Sequence, residues 1–166
     1  MKKSEFAEFA AGGLIYLDGA TGSNLQKRGM PGGVCPDLWI SENPEVLIGL
    51  QEEFLEAGAN ILYSPTFTAN RIKLAEFGLE GKLEEMNHLL VGLSKEAVRR
   101  YREKHGDDKA IAIAGDITMT GVQLSPNGPM QFEELIDIYK EQIRALVSGG
   151  VDLKVVETMM SLQETR

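Results

Sequence analysis

The sequence predicts an α/β fold built from successive strand–helix units, and three observations carry that prediction. Four apolar segments, Leu14 to Asp18 (LIYLD), Ile61 to Thr66 (ILYSPT), Ala110 to Asp116 (AIAIAGD) and Val151 to Glu157 (VDLKVVE), each end on a polar or acidic residue. Each is followed by a glycine or small-residue turn and then by residues at helical spacing. Their starts lie roughly 40 to 50 residues apart, a spacing that fits either half of an eight-stranded (βα)8 barrel or a doubly wound parallel sheet. The pattern alone leaves both open. Side chains at the carboxyl ends of parallel strands share one rim, so Asp18, Thr66, Asp116 and Glu157 are expected to converge on one small ligand.

Each element has a local cause. Ser4 to Ala11 reads as a short leading helix within residues 1–13, with Phe6, Phe9 and Ala10 on one side and the Gly12-Gly13 pair ending it. Such a helix suits the bottom of a barrel. A long connection from Gly19 to Ile40 follows the first strand, and connections of that length inside compact domains tend to be functional. Asn43 and Pro44 then supply a helix cap and a first-turn proline, Leu47, Leu50, Phe54 and Ala57 follow helical spacing, and Gly58 ends the helix. After the second strand, a short helix is expected near Arg71 to Phe77. A longer one near Leu83 to Lys104 has Leu83, Met86, Leu90, Leu93 and Ala97 as its buried stripe. The third strand leads through a loop with Pro126, Asn127, Gly128 and Pro129 to a helix from about Gln131 to Val147. That helix is expected to bury Phe132, Leu135, Ile136, Tyr139, Ile143 and Leu146, with Gly149 and Gly150 closing it. No internal domain boundary interrupts the 166 residues, which are read as one domain.

Composition removes several function classes. Seventeen basic against twenty-five acidic residues give a formal charge of −8, which repels a nucleic-acid backbone or an anionic membrane. No stretch approaches the roughly 18 apolar residues of a membrane span, and the N-terminus lacks a signal-peptide core, so a cytoplasmic location is expected. The single cysteine, Cys35, forms no internal disulfide and cannot alone make a cysteine-rich metal cage. With no histidine near it in sequence, Cys35 reads as a structural or incidental thiol rather than a nucleophile. His88 and His105 read as surface or helix-end residues, Trp39 and Met30 as packing of the long loop or a pocket mouth, and the run KEAVRRYREKHGDDK as a solvated helix face.

The turn Gly19-Ala20-Thr21-Gly22-Ser23-Asn24 admits three readings. It lacks the third glycine of a dinucleotide fingerprint and the Gly-Lys-Ser/Thr ending of a phosphate-binding loop. It can be a phosphate cradle, a tight turn that needs glycine, or a set of backbone amides that hold a ligand carboxylate. The strand-end acids Asp18, Asp116 and Glu157 would individually pass as solvated turn residues. Three of them at equivalent strand ends suit a cation or an ammonium group instead.

Five blocks, LDGATGSNLQKRG, CPDLWISENPEV, PTFTANRIKL, GDITMTG and VVETMMSLQE, stand in an order and spacing that resemble the homocysteine S-methyltransferase domain. The likeness is greatest to the N-terminal module of bacterial cobalamin-dependent methionine synthase and covers about Leu14 to Arg166. It implies a (βα)8 barrel of which this chain is about the first four units. It also implies methyl transfer to the zinc-bound thiolate of L-homocysteine, giving methionine. On this resemblance the Asp18-Gly19 turn holds the substrate carboxylate and Glu157 receives its ammonium group. Thr66 and Asp116 fall near the substrate in a second tier. Where the family often reads Glu-Thr-Asn-Thr-Phe, this chain has Tyr63-Ser64-Pro65-Thr66-Phe67, so Pro65 replaces an amide side chain.

The resemblance places three zinc-binding cysteines beyond Arg166, and Cys35 matches none of them. No metal ligand or catalytic residue is therefore assigned within these residues, and the isolated chain is expected to be inactive. Cobalamin, charged from methyltetrahydrofolate, would arrive on other domains; betaine or S-methylmethionine is the alternative donor. A half-barrel exposes sheet edges and apolar surface, so a second barrel half, a methyl-donor domain or self-association is expected to cover them. Two other readings stay open: a non-catalytic half-barrel that binds or assembles, and an unrelated enzyme holding a divalent metal through Asp18, Asp116 and Glu157.

Overall fold

The computed structural model describes residues 1–106 and 109–166; Asp107 and Asp108, in the run read as a solvated helix face, lie outside the described residues. Four helices, α1 (Lys3–Ala11), α2 (Thr21–Lys27), α3 (Pro36–Glu42) and α4 (Pro44–Glu56), precede the first regular strand, β1 (Ile61–Ser64). Helices α5 (Arg71–Ala75) and α6 (Leu83–His105) lead to β2 (Ala112–Ile117), and α7 (Phe132–Gly149) leads to β3 (Leu153–Val156). A last short helix, α8 (Leu162–Thr165), follows. The strands form one parallel sheet in the order β1-β2-β3, with Ile61 opposite Ala112 and Ala114 opposite Leu153. Parallel neighbours need a crossover, and the helices supply it.

Strand alternation divides the sheet into two faces. Ile61, Tyr63, Ala112, Ala114, Leu153 and Val155 share an inner cluster with Ile15 and with Phe9 of α1. The leading helix thus packs across the strands near their amino ends, and the Met1 ammonium donates to the Asp152 carbonyl at 3.0 Å. The opposite face meets the helices: Leu62 and Ile113 pack with Leu55, Val98 and Tyr101, and Ile117 packs with Val91 and Leu146. Gly115 is forced by this layer, because a Cβ there would lie 2.9 Å from both Leu146 methyls. Helix α6 packs between α4 and α7, and β2, between the other two strands, is buried at every residue.

Several expectations are corrected. Leu14 to Asp18 runs parallel to β1 but is not a regular strand: Leu17 makes one bridge to Ile61, Tyr16 O accepts from Asn60 N at 2.7 Å, and Asp18 N donates to Ile61 O at 3.0 Å. Only one side of the segment has a neighbour, and Leu14 is 82% exposed. The Gly19 to Ile40 connection contains α2 and most of α3, which bury Leu25 and Ile40 beside Leu47, Leu50 and Leu90. Short helices rich in turn formers become stable when such apolar anchors pack. On α7 the buried stripe is rotated: Phe132 and Ile136 are exposed, while Ile138, Gln142 and Ala145 are buried with Leu135 and Leu146. On α6, Met86, Leu90 and Ala97 are buried as the spacing predicts, and Leu83 and Leu93 are half-buried.

Candidate functional site

The carboxyl ends of the strands open into a cavity of about 560 Å³. Its acidic side is Asp18, Asp116 and Glu157; its apolar side includes Leu25, Met30, Ile40 and Phe67, and the Gly19 to Gly22 turn lines it as well. Period-two alternation explains the convergence. Asp116 follows Ala112 and Ala114 on the inner face of β2, and Glu157 follows Leu153 and Val155 on that of β3. Gly19 faces the ring of Phe54, where a Cβ would stand 2.9 Å from the Cε1 atom, so a larger residue would push the turn away from the sheet. A second cavity, about 490 Å³, lies between the 122–133 loop and the Met160–Glu164 segment. It contains no strand-end acid, and its one buried carboxylate, Glu164, already accepts from Tyr139 Oη, Thr120 N and Met160 N.

Asp18 accepts a hydrogen bond from Tyr63 N at 2.8 Å through Oδ2. Burial raises its carboxyl from the ordinary 3.8 to about 7 against the opposing effect of that bond, and the charge of Glu157 adds to the rise. Asp116 is also pushed up to about 7, first by burial and then by the charges of Glu157 and Asp18, and its Oδ1 is buried without a partner. The Tyr63 hydroxyl is raised by burial and by the same three acids. The rim is therefore a set of interacting acids, two of them raised toward neutrality by burial and by neighbouring acids.

Thr66 is fully buried and stands outside the cavity lining. Its Oγ1 donates to Asp116 O at 2.9 Å and accepts from Asp116 N at 3.0 Å, tying the end of β1 to that of β2. Sequence reasoning missed Asp37, which is 1% exposed, accepts from Thr68 Oγ1 at 2.5 Å, and lies 3.7 Å from Cys35 Sγ. Burial raises Asp37 to about 6. The one signal in the sequence was an acid between Pro36 and the apolar Leu38-Trp39 pair. Met30 lines the cavity, whereas Trp39 packs against the α4–α6 cluster.

Burial, first among its causes, raises the Cys35 thiol, the opposite of what a metal-binding thiolate needs. His88 bonds Ser148 Oγ at 2.8 Å, and the His105 ring lies tilted against that of Tyr101 at 4.6 Å, both histidines on α6 and neither lining the cavity. Among the described residues no three His, Cys, Asp or Glu side chains are grouped to hold a metal ion, so the residues present do not fit the zinc that the resemblance implies. The same finding leaves the divalent-metal reading of the rim without a ligand set. No helix among the described residues is long and apolar enough to cross a membrane.

Known structures share this arrangement. The metallated form of the homocysteine methyltransferase MmuM from Escherichia coli matches with a TM-score of 0.80 and 22% identity, covering 98% of this chain and 58% of that one. The oxidized form matches at 0.78 and 23%, covering 91% and 55%. Likeness at this identity concerns the fold, an α/β arrangement of parallel strands and helices that spans a little over half of each matched structure. The sequence itself matches the description homocysteine S-methyltransferase over residues 15–166, which include every strand and every rim acid. By that match, the chain belongs to the homocysteine S-methyltransferase family.

Proposed function

We propose that this chain forms the homocysteine-binding part of a methyltransferase that delivers a methyl group to the sulfur of L-homocysteine, giving methionine. The observation that carries this reading is the convergence of Asp18, Asp116 and Glu157 on one wall of a cavity that also includes the Gly19 turn. Glu157 receives the substrate ammonium group in a charge-assisted bond. Backbone amides of the Asp18-Gly19 turn hold the carboxylate, while Asp18 keeps that turn in place through Tyr63 N. Asp116 adds negative potential beneath the ammonium group, and Thr66 holds Asp116 by its backbone.

The described residues contain no metal-binding set that could activate the substrate thiol. The chain by itself is accordingly proposed to bind substrate without turning it over. Methylcobalamin charged from methyltetrahydrofolate is the proposed donor, with betaine or S-methylmethionine as the alternative. Exposed apolar side chains at Leu14, Tyr16 and Val156 favour a covering partner, a second barrel half or a methyl-donor domain.

Calorimetric titration of the chain with L-homocysteine and with its des-amino analogue, 4-mercaptobutanoate, tests the reading. Homocysteine is expected to bind more tightly, and E157Q to weaken it by about 10- to 100-fold while leaving the analogue unchanged. Equal affinity for the two ligands, or none for homocysteine, would overturn the assignment.

A further inference from the structure

Thr158 has φ +55, the one non-glycine residue with a positive φ among the described residues. This left-handed conformation is costly for any residue with a Cβ and more so for a β-branched one. Such backbone persists where its surroundings over-determine it, and it clusters at functional sites. Thr158 is exposed, so packing of its own side chain does not explain it.

The two neighbours do. Leu153 and Val155 face the inner cluster, and Glu157, two residues on, continues that face into the cavity. Its backbone is held there, because Glu157 N donates to Ile117 O at 3.0 Å. If the alternation continued, Met159 would also point inward. It packs instead on the helix side, against Val91, Ile117 and Leu146, with its sulfur 3.6 Å from Tyr139 Oη. Met160 N is then anchored by Glu164 Oε2 at 2.8 Å. The chain thus changes faces between the side chains of Glu157 and Met159, and Thr158 is the one residue between them.

We propose that Thr158 is a positioning residue: its left-handed backbone makes Glu157 the last inward-facing side chain of β3 and keeps that carboxylate on the cavity wall. What Glu157 holds rests on the homocysteine reading; how it is aimed does not. The groups facing Glu157 in the cavity are Asp18, Asp116 and Tyr63, so Asp116 reports on its placement without any ligand.

The experiment is a carbon-13 NMR titration of the Asp116 carboxyl in the wild-type chain, E157Q, T158P and T158G, with a thermal melt of each. Proline fixes φ near −65° and forbids the turn, whereas glycine allows it freely. The Asp116 midpoint is expected to fall by about half a pH unit or more in E157Q, and equally in T158P. T158G is expected to keep the wild-type midpoint with an equal or higher Tm. A T158P midpoint equal to that of the wild type overturns the proposal. So does a T158G protein with a lowered Tm or a lowered midpoint, a readout that stands even where T158P fails to fold. If this titration pattern appears in a chain that does not bind homocysteine, the ligand reading falls and Thr158 keeps its role.

Discussion

Burial, more than charge pairing, governs the rim acids. Asp116 holds its proton up to about 7 in the folded chain but only to the ordinary 3.8 when unfolded. Between those values the folded state binds more protons, so stability falls as pH rises. The contribution is fully present below about 3.8 and lost above about 7. Asp18 follows the same sign over the same window. D116N, which cannot ionise, is therefore expected to stabilise the fold by about 1–3 kcal/mol at about pH 8 and to change little at about pH 4. Chemical denaturation at the two pH values checks this, and an equal effect at both would refute it. A bound ammonium group favours the ionised acids, so homocysteine binding is expected to tighten from about pH 6 to about pH 8, with proton release. The acids at 18, 116 and 157 were legible because each ends an apolar run. Asp37 was not, because its burial depends on Thr68 and Cys35 packing around it, contacts distant in sequence or hidden in a loop. The conformation of Thr158 was equally hidden, since it arises from anchors on either side rather than from threonine itself.

Between elements, the joint at the strand ends depends on a single hydroxyl. Thr66 Oγ1 satisfies both backbone groups of Asp116, and Gln142 Nε2 of α7 donates to Thr66 O at 2.8 Å, so strand β1, strand β2 and helix α7 meet at one buried residue. T66V keeps the shape and removes the bonds, leaving buried backbone groups unsatisfied. It is expected to cost about 1–3 kcal/mol, whereas T66S keeps the hydroxyl and loses about 1 kcal/mol of methyl packing. Denaturant midpoints that rank T66S at or below T66V would rule out the hydroxyl as the clamp. Three of the four expected strands form, each shorter than its apolar run, because burial and turn glycines mark them directly. The segment from Leu14 to Asp18 has the composition of a strand but a neighbour on one side only. Helices α2 and α3 escaped notice because glycine and proline dominate their surroundings, and only tertiary burial of Leu25 and Ile40 reveals their amphipathic order. On α7, periodicity alone allowed more than one face, and Gln142 claimed the buried one through its bond to Thr66.

Across the whole molecule, two opposing quantities set its behaviour in solution. The open sheet exposes apolar side chains near both edges, with Leu14 at 82% and Val156 at 46%, and unpaired strand edges favour association. A net charge of −8 opposes it. Charge repulsion between exposed surfaces is screened within about 8 Å at physiological ionic strength, while burial of apolar surface is not weakened by salt. The hydrophobic contribution should then win as salt is added. Sedimentation velocity is expected to show self-association that grows with protein concentration and with sodium chloride. L14K/V156K, which adds cations at both edges, is expected to shift the chain toward monomer. Neither residue lines the cavity, so the affinity for homocysteine should stay the same in that variant. A wild-type chain that sediments as a monomer at every concentration and salt, with a sharp thermal transition, would mean that the exposed edges are tolerated without a partner. A variant that loses both association and homocysteine binding would instead show that the cavity is completed by a second copy, linking the sheet edge to the site.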